Sequence, residues 1–570
     1  MMSTPPHAAQ ITVAQTLALL DGPFSEMAQG VAQDRYAFWL GSGISLNRMP
    51  KLAALVVVVL DYLQKHASTA LDCPLRKSLT DILNLAGADV AQIDFNKEVA
   101  TWPEIAAISN QLVLHYARML DRAPDGKDAD FLIWEALDVV GVYADPNIEP
   151  DAEHFAIAAL IMEGVASDLP SANWDGLVEK AVNILSGGAP ILRVWVRAED
   201  GRTVERKADL YKFHGCAVLA GADETLYREK IVGRQSQING WVMSAENAVL
   251  SSKLIDIITN KPTLMLGLSA QDANIQAIFA AAQQRLHWSW PSDPPAYVFS
   301  ENALGVDQQG LLQNVYRSAY TAASKAQIHQ SALLQAYAKP LLAALWLHVI
   351  NAKLSALVAH APGALSANDQ TQLRAGLAAL RDATADAAAG VEIEIFVQEA
   401  IARSRHALAL FREGKRPVAA AAYQALTSGP VQSLATDPTL TTSGLSEFSV
   451  ALGLFGLLLQ SGAVKVATGN PVAANAPALE VIGASVAASV LFAANAQAAL
   501  HLFAEGHVGE DDDAILVHSH ALTPRMTRSP RSARGRKGRA ALREASITEL
   551  LAESSNAGEL LQKFREKVSL

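Results

Sequence analysis

Tyr36-Ala37-Phe38-Trp39-Leu40 is an unbroken apolar run that stops at a glycine, Gly41. A strand with one wet face alternates polar and apolar residues. A run without alternation fits a strand covered on both faces, as parallel sheets require. Similar runs lie at residues 191–196, 208–213, 262–268 and 296–299, and residues 171–174 read as a strand end. Helical spacing fills the intervals. It is longest from residue 52 to 169, with pieces at 52–64, 74–85, 102–120, 132–140 and 153–166, and it returns at 177–185. The expected fold is α/β: a Rossmann-like, mostly parallel sheet with a large helical insertion, followed by an all-α C-terminal domain.

The change of texture sets that second domain. Past about residue 305 Ala and Leu dominate and strand signals fade, with helices expected at 311–323, 331–357, 371–388, 392–413 and 416–426. Two late apolar stretches, 450–459 and 481–494, are read as buried helices. The first is too short to span a bilayer, and the second is broken by Gly483, Ser485 and Ser489. Residues 510–513 are acidic, and 525–543 carry eight basic residues among Ser, Pro and Gly with no acid. The expected division is 1–304 (catalytic), 305–508 (helical, regulatory or oligomerising), 509–546 (acidic then basic disordered linker) and 547–570 (amphipathic helix).

A formal net charge of −11 argues against a chain that is globally a nucleic-acid binder, which leaves the basic segment 525–543 as the one candidate for such contact. Cys73 and Cys216 are the only cysteines, too few for a four-cysteine zinc site, so no metal is expected. The first ten residues show no basic-then-apolar leader pattern, and the setting expected is cytoplasmic, without membrane.

Four polar clusters follow strand-like runs: Gly41-Ser42-Gly43-Ile44-Ser45, Ser171-Ala172-Asn173-Trp174-Asp175, Phe213-His214-Gly215, and Gly267-Leu268-Ser269 with Asp272 after it. Glycine turns let a phosphate approach the backbone. An amide can hold a sugar without adding charge, and imidazole titrates where a general base is useful. Asn173 and His214 are therefore the expected catalytic pair, with His214 activating a ribose hydroxyl or a water. Gly41, Ser42, Gly43, Ile44, Ser45, Asp175, Gly267 and Ser269 are the expected binding residues. Asp175 reads equally as a helix cap. Asp272 reads as a cap, His154 as a helix-start or packing residue, and Cys216 as apolar filler.

The ordered set resembles the sirtuins. Leu40 to Ser45 is similar to their first NAD-binding motif, residues 171–175 to the Asn-x-Asp motif, Phe213-His214-Gly215 to the catalytic His-Gly, and Gly267-Leu268-Ser269 to the later Gly-x-Ser turn. The resemblance covers roughly residues 30–300 and implies NAD as the ligand. The chain departs from deacylase sirtuins in lacking two C-x-x-C pairs, in carrying Asn47-Arg48-Met49-Pro50-Lys51 for Pro-Asp-Phe-Arg, and in having Ser171-Ala172 before the Asn. It looks closer to the divergent bacterial branch. That likeness implies a defence-associated NAD hydrolase that depletes cellular NAD in antiviral responses. It further implies a homo-oligomer or a partner such as a translocase-type ATPase or an Argonaute-like protein. The alternatives are an NAD-dependent protein deacylase without its zinc module and a catalytically inactive NAD-sensing scaffold.

Overall fold

The computed structural model describes residues 7–70, 72–363, 365–418, 422–468, 470, 476–483, 487–508, 514–520 and 543–570. Seven strands form one sheet: β1 (Ala37–Leu40), β2 (Asp168–Ser171), β3 (Leu192–Trp195), β4 (Ala208–Lys212), β5 (Thr263–Leu266), β6 (Tyr297–Ser300) and β7 (Leu333–Leu334). Their order is β3-β4-β2-β1-β5-β6-β7, and every pairing is parallel. This is the Rossmann-like sheet expected.

The unbroken apolar run of β1 is explained by its two neighbours in depth. Ala37 and Trp39 enter a core shared with helices Ala248–Asn260 and Ala273–Arg285. Phe38 and Leu40 enter the opposite core, built with helices Val13–Asp21, Ala152–Met162 and Ala338–Val358. Each large apolar side chain so buried contributes roughly 1.5–3 kcal/mol. Helix Ala338–Val358 is long and apolar enough to cross a bilayer, and most of it is buried inside the protein.

Register places the site. Leu40 pairs with Ser171 on one side and with Leu266 on the other, and Ser171 pairs with Lys212. The C-terminal ends of β1, β2, β4 and β5 therefore lie in one row. The chain leaves β1 toward β2 on one side and later returns to place β5 on the other. A crevice opens at such a reversal, and ligands of α/β sheets bind there.

Between β1 and β2 runs the helical insertion. It includes Leu52–His66, Pro74–Leu85, Ile105–Leu114, Tyr116–Leu120 and Val139–Tyr143, with a core of its own around Leu55, Val59, Leu112 and Leu132. The single helix expected at 102–120 is broken at His115, which ends one helix and precedes the next.

The C-terminal half is dominated by helices, including Ala367–Ala387, Ile393–Glu413 and Leu445–Gln460. It is not all-α, however. A second sheet, order β12-β11-β10-β9-β8, is formed by β8 (Val464–Ala467), β9 (Leu479–Gly483), β10 (Ala487–Ala493), β11 (Ala514–His518) and β12 (Arg543–Ser546). Among the described residues of 481–494, 481–483 and 487–493 are thus strand, not the buried helix expected. Ala514 to Val517 is a fully buried apolar run, the same pattern as β1, hidden beside the acidic run. The acidic residues 510–513 and the basic stretch up to residue 542 lie outside the described residues. Arg543 opens β12. No helix forms among the described residues of 416–426, where Pro417 interrupts the spacing. The sheet also runs past residue 305 into β7, so a boundary there does not end the first layer. The terminal helix is two, Ile547–Glu553 and Ala557–Val568, the second capped by Asn556.

One buried knot joins the halves. Glu163, just past helix Ala152–Met162, and Lys353 on helix Ala338–Val358 are fully buried and 2.6 Å apart. Lys353 also donates to the carbonyls of Glu163 and Thr427, while Tyr423 donates to Glu163 Oε1 at 2.7 Å. Removing one partner of such a pair strands a charge and costs about 3–5 kcal/mol. Lys353→Met is expected to destabilise the chain by about that much in urea unfolding. Lys353→Met with Glu163→Gln is expected to recover most of the loss.

Candidate active site

All four sequence clusters line one cleft of about 1160 Å³, measured out to its open mouth. Gly41, Ser42 and Ser45 line it beyond β1, and Asn173, Trp174 and Asp175 beyond β2. His214 lines it beyond β4, and Gly267, Ser269 and Asp272 beyond β5. Gly43 and Ile44 do not: Ile44 is buried in the core beneath the turn.

Gly43 has another task. Its N–H donates to Gly267 O, the N–H of Gly41 donates to Leu266 O, and these backbones touch. A Cβ on Gly41 would stand 2.3 Å from Gly267 O, and one on Gly43 would stand 2.4 Å from Gly267 Cα. The first glycines therefore let the β1 and β5 turns pack backbone to backbone. Three of the amides expected to cradle a phosphate, those of Gly41, Gly43 and Ile44, are already spent. Exposed Ser42 and Ser269 supply the hydroxyls at this wall.

Behind the turn runs a directed chain of hydrogen bonds. Asp151 N–H donates to His154 Nδ1 at 3.0 Å, so the neutral ring carries its proton on Nε2. Nε2 lies 3.1 Å from Ser45 Oγ, which donates to Asp175 Oδ2 at 3.0 Å. Asp175 Oδ1 accepts from Leu177 N–H at the start of helix Leu177–Leu185. Asp175 therefore sits just ahead of the Gly176 N-cap, receives the first N–H of the helix and pins the first turn to the second. Burial lowers the His154 pKa to about 4, which keeps the ring neutral. His154 is also the N3 residue of a capping box, the helix-start role expected of it.

Asn173 is buried, and its Oδ1 has no hydrogen-bond partner. Trp174 beside it has a buried indole N–H that is also unpaired. Unpaired buried polar atoms are costly, and in a cleft they mark where a ligand is received. His214 is buried as well, and burial lowers its pKa against the opposing pull of the Asp272 carboxylate. Asn274 lies against Nε2, while Asp272 Oδ2 stands 4.0 Å from Nδ1.

Asp272 occupies the N-cap position of helix Ala273–Arg285, yet its side chain makes no capping bond. It accepts instead from Tyr116 O–H of the insertion, at 2.5 Å. Gln271 ties the same turn to Leu114 O. Ala270, just before them, is held at φ +57, a strained conformation for a residue with a side chain. Tyr116, Asp272 and Asn274 were not among the expected site residues. The spacing of Asp272 and Asn274 after the Gly-x-Ser turn was visible, but Tyr116 sits in an unremarkable helical stretch.

Part of the cleft lining is apolar: Leu55, Val59, Met119 and Leu120 of the insertion together with Trp174. Lys212 is fully buried behind the site and held by Asp175 O, by Glu179 Oε1 at 2.7 Å and by Cys216 Sγ at 3.4 Å. Cys216 is buried, and its thiol pKa is raised by burial. Among the described residues no cluster of three His, Cys, Asp or Glu side chains could hold a metal ion.

Neutral buried histidines make stability depend on pH. Below about pH 6.5 the unfolded chain binds a proton that native His154 refuses until about pH 4, so stability falls as pH falls through that window. In urea titrations His154→Gln is expected to show a shallower loss between those limits than the parent chain.

No curated protein matches the chain. The family model of the SIR2-like domain matches residues 169–320, a stretch that opens at β2 and takes in the Asn173, His214 and Gly267 clusters, leaving the Gly41 turn ahead of it. With the parallel sheet and the converging clusters already established, this match supports a divergent sirtuin-like domain over residues 169–320, a family whose members use NAD.

Proposed function

We propose that the chain hydrolyses NAD at the nicotinamide–ribose bond, releasing nicotinamide and ADP-ribose. The observation that carries this reading is Asn173 Oδ1, buried and unpartnered in the cleft that His214 also lines. Cleavage of a glycosidic bond develops positive charge on the ribose. An unpaired amide oxygen is a fixed dipole suited to stabilising that charge without competing for it as a counter-ion. His214 holds the ribose hydroxyl or the attacking water. Ser42, Ser269 and the exposed edges of the two glycine turns face the phosphates. The apolar part of the lining suits a flat aromatic ring, and Trp174 N–H is a donor for its carboxamide oxygen.

The reading extends to a cytoplasmic, regulated effector that depletes NAD in antiviral defence and works as a homo-oligomer or with a partner protein. Supporting regulation are two ion pairs made by the C-terminal half beside the first turn. Arg48, in the loop after the first turn, pairs with Glu394 at the start of helix Ile393–Glu413, and Lys339 pairs with Asp151 at 2.8 Å. The C-terminal half thus holds the loop that lines the cleft and the start of helix Ala152–Met162, which carries His154.

Incubating the full chain with NAD, with and without an acyl-lysine peptide, separates the readings. Nicotinamide and ADP-ribose are expected without peptide, and His214→Ala or Asn173→Ala is expected to lower the rate by about 100-fold or more. Turnover only with peptide would assign deacylation. Binding without turnover would assign a sensing scaffold.

A further inference from the structure

We propose that Asp272 is a catalytic residue of this site: it takes the proton of a hydroxyl or water held between its Oδ2 and His214 Nδ1, while Tyr116 from the helical insertion positions its carboxylate. The proposal rests on the NAD-cleavage reading and deepens it.

The geometry begins at Asn274. Its side chain lies across His214 Nε2, with the amide nitrogen at 2.9 Å and the oxygen at 3.3 Å. The nitrogen is nearer, and an amide N–H only donates. Nε2 is then an acceptor, and the single proton of the neutral ring sits on Nδ1. Nδ1–H faces Asp272 Oδ2 across 4.0 Å, too far for a direct hydrogen bond. An oxygen about 2.8 Å from each atom closes the gap with good geometry. That oxygen accepts from His214 and can donate only to Asp272. His214 therefore orients the nucleophile, and Asp272 receives the proton, a division of labour opposite to the base role first expected of His214.

The carboxylate is prepared for this. It gives up the capping bond of its own helix, and Tyr116 O–H holds Oδ1 at 2.5 Å, which leaves Oδ2 turned to His214. Tyr116, Asp272 and His214 all line the cleft. In the hydrolytic step the water oxygen bonds to ribose C1′ as its proton passes to Asp272. The C1′–N bond breaks, and its electron pair goes to the pyridinium nitrogen. Nicotinamide leaves neutral, ADP-ribose keeps the new hydroxyl, and Asp272 returns the proton to solvent.

Steady-state NAD cleavage by the full chain tests the assignment. Asp272→Asn is expected to lower kcat by about 100-fold or more with KM changed less than about threefold, and Asp272→Glu to restore part of the loss. Tyr116→Phe is expected to lower kcat by about tenfold at unchanged KM, which a merely structural loss would not do. The second arm is a long-range ¹H–¹⁵N spectrum of histidine-labelled protein, with His214 assigned through His214→Gln. The expected tautomer is Nδ1–H. An active parent whose Asp272→Asn variant keeps kcat within about threefold overturns the role of Asp272 and leaves NAD cleavage standing, and an Nε2–H tautomer overturns it equally. A parent that releases no nicotinamide under any condition removes the underlying reading, and this role with it.

Discussion

Everything at the cleft depends on the parallel register of four short strands. Leu40 faces Ser171 and Leu266, and Ser171 faces Lys212, so four chain segments separated by up to 226 positions emerge side by side. Parallel pairing cannot be made by hairpins; each return needs a crossover, and the crossovers here are helices packed on both faces. The close contact of Gly41 and Gly43 with Gly267 then locks two of the exits together. A side chain at any of the three would meet backbone, which has no rotamer to yield. The binding surface is therefore a by-product of how tightly two turns can be stacked.

The helical insertion gives this sheet its particular site. It lines the cleft with apolar side chains, and it sends Tyr116 across to Asp272. On the other flank helix Ala152–Met162 begins at the His154–Ser45–Asp175 chain and ends beside the Glu163–Lys353 knot. One rigid helix of 11 residues, about 16 Å long, thus connects the first turn to the C-terminal half. The structure supplies a mechanical path from that half to the site.

Legibility in the sequence followed chemistry that is local. The apolar runs of β1, β4, β5 and β6 announced buried strands because burial on both faces leaves no alternation, and the polar clusters after them were visible for the same reason. Asn173, His214, Ser42 and Ser269 were legible as cleft residues. Two kinds of feature were not. Long-range pairings such as Tyr116 with Asp272 or Glu163 with Lys353 leave no local trace, since neither partner's neighbours differ from an ordinary helix. The second sheet was obscured at its central strand, which is Ala-rich: Ala487–Ala493 has a composition that suits helix or strand, and only its pairing with β9 and β11 decides. Asp272 was misread for a different reason. Its position is that of a cap, and only the structure shows the side chain turned away.

The central claim is that the four strand ends hold one dinucleotide with its nicotinamide ribose between Asn173 and His214. A crystal structure of the full chain carrying Asp272→Asn, grown with NAD, tests it most directly. The account expects the ribose C1′ within van der Waals reach of Asn173 Oδ1, the pyrophosphate at the Ser42 and Ser269 wall, and the nicotinamide ring against Trp174. NAD bound elsewhere, or bound here with its adenine end at Asn173, would contradict it.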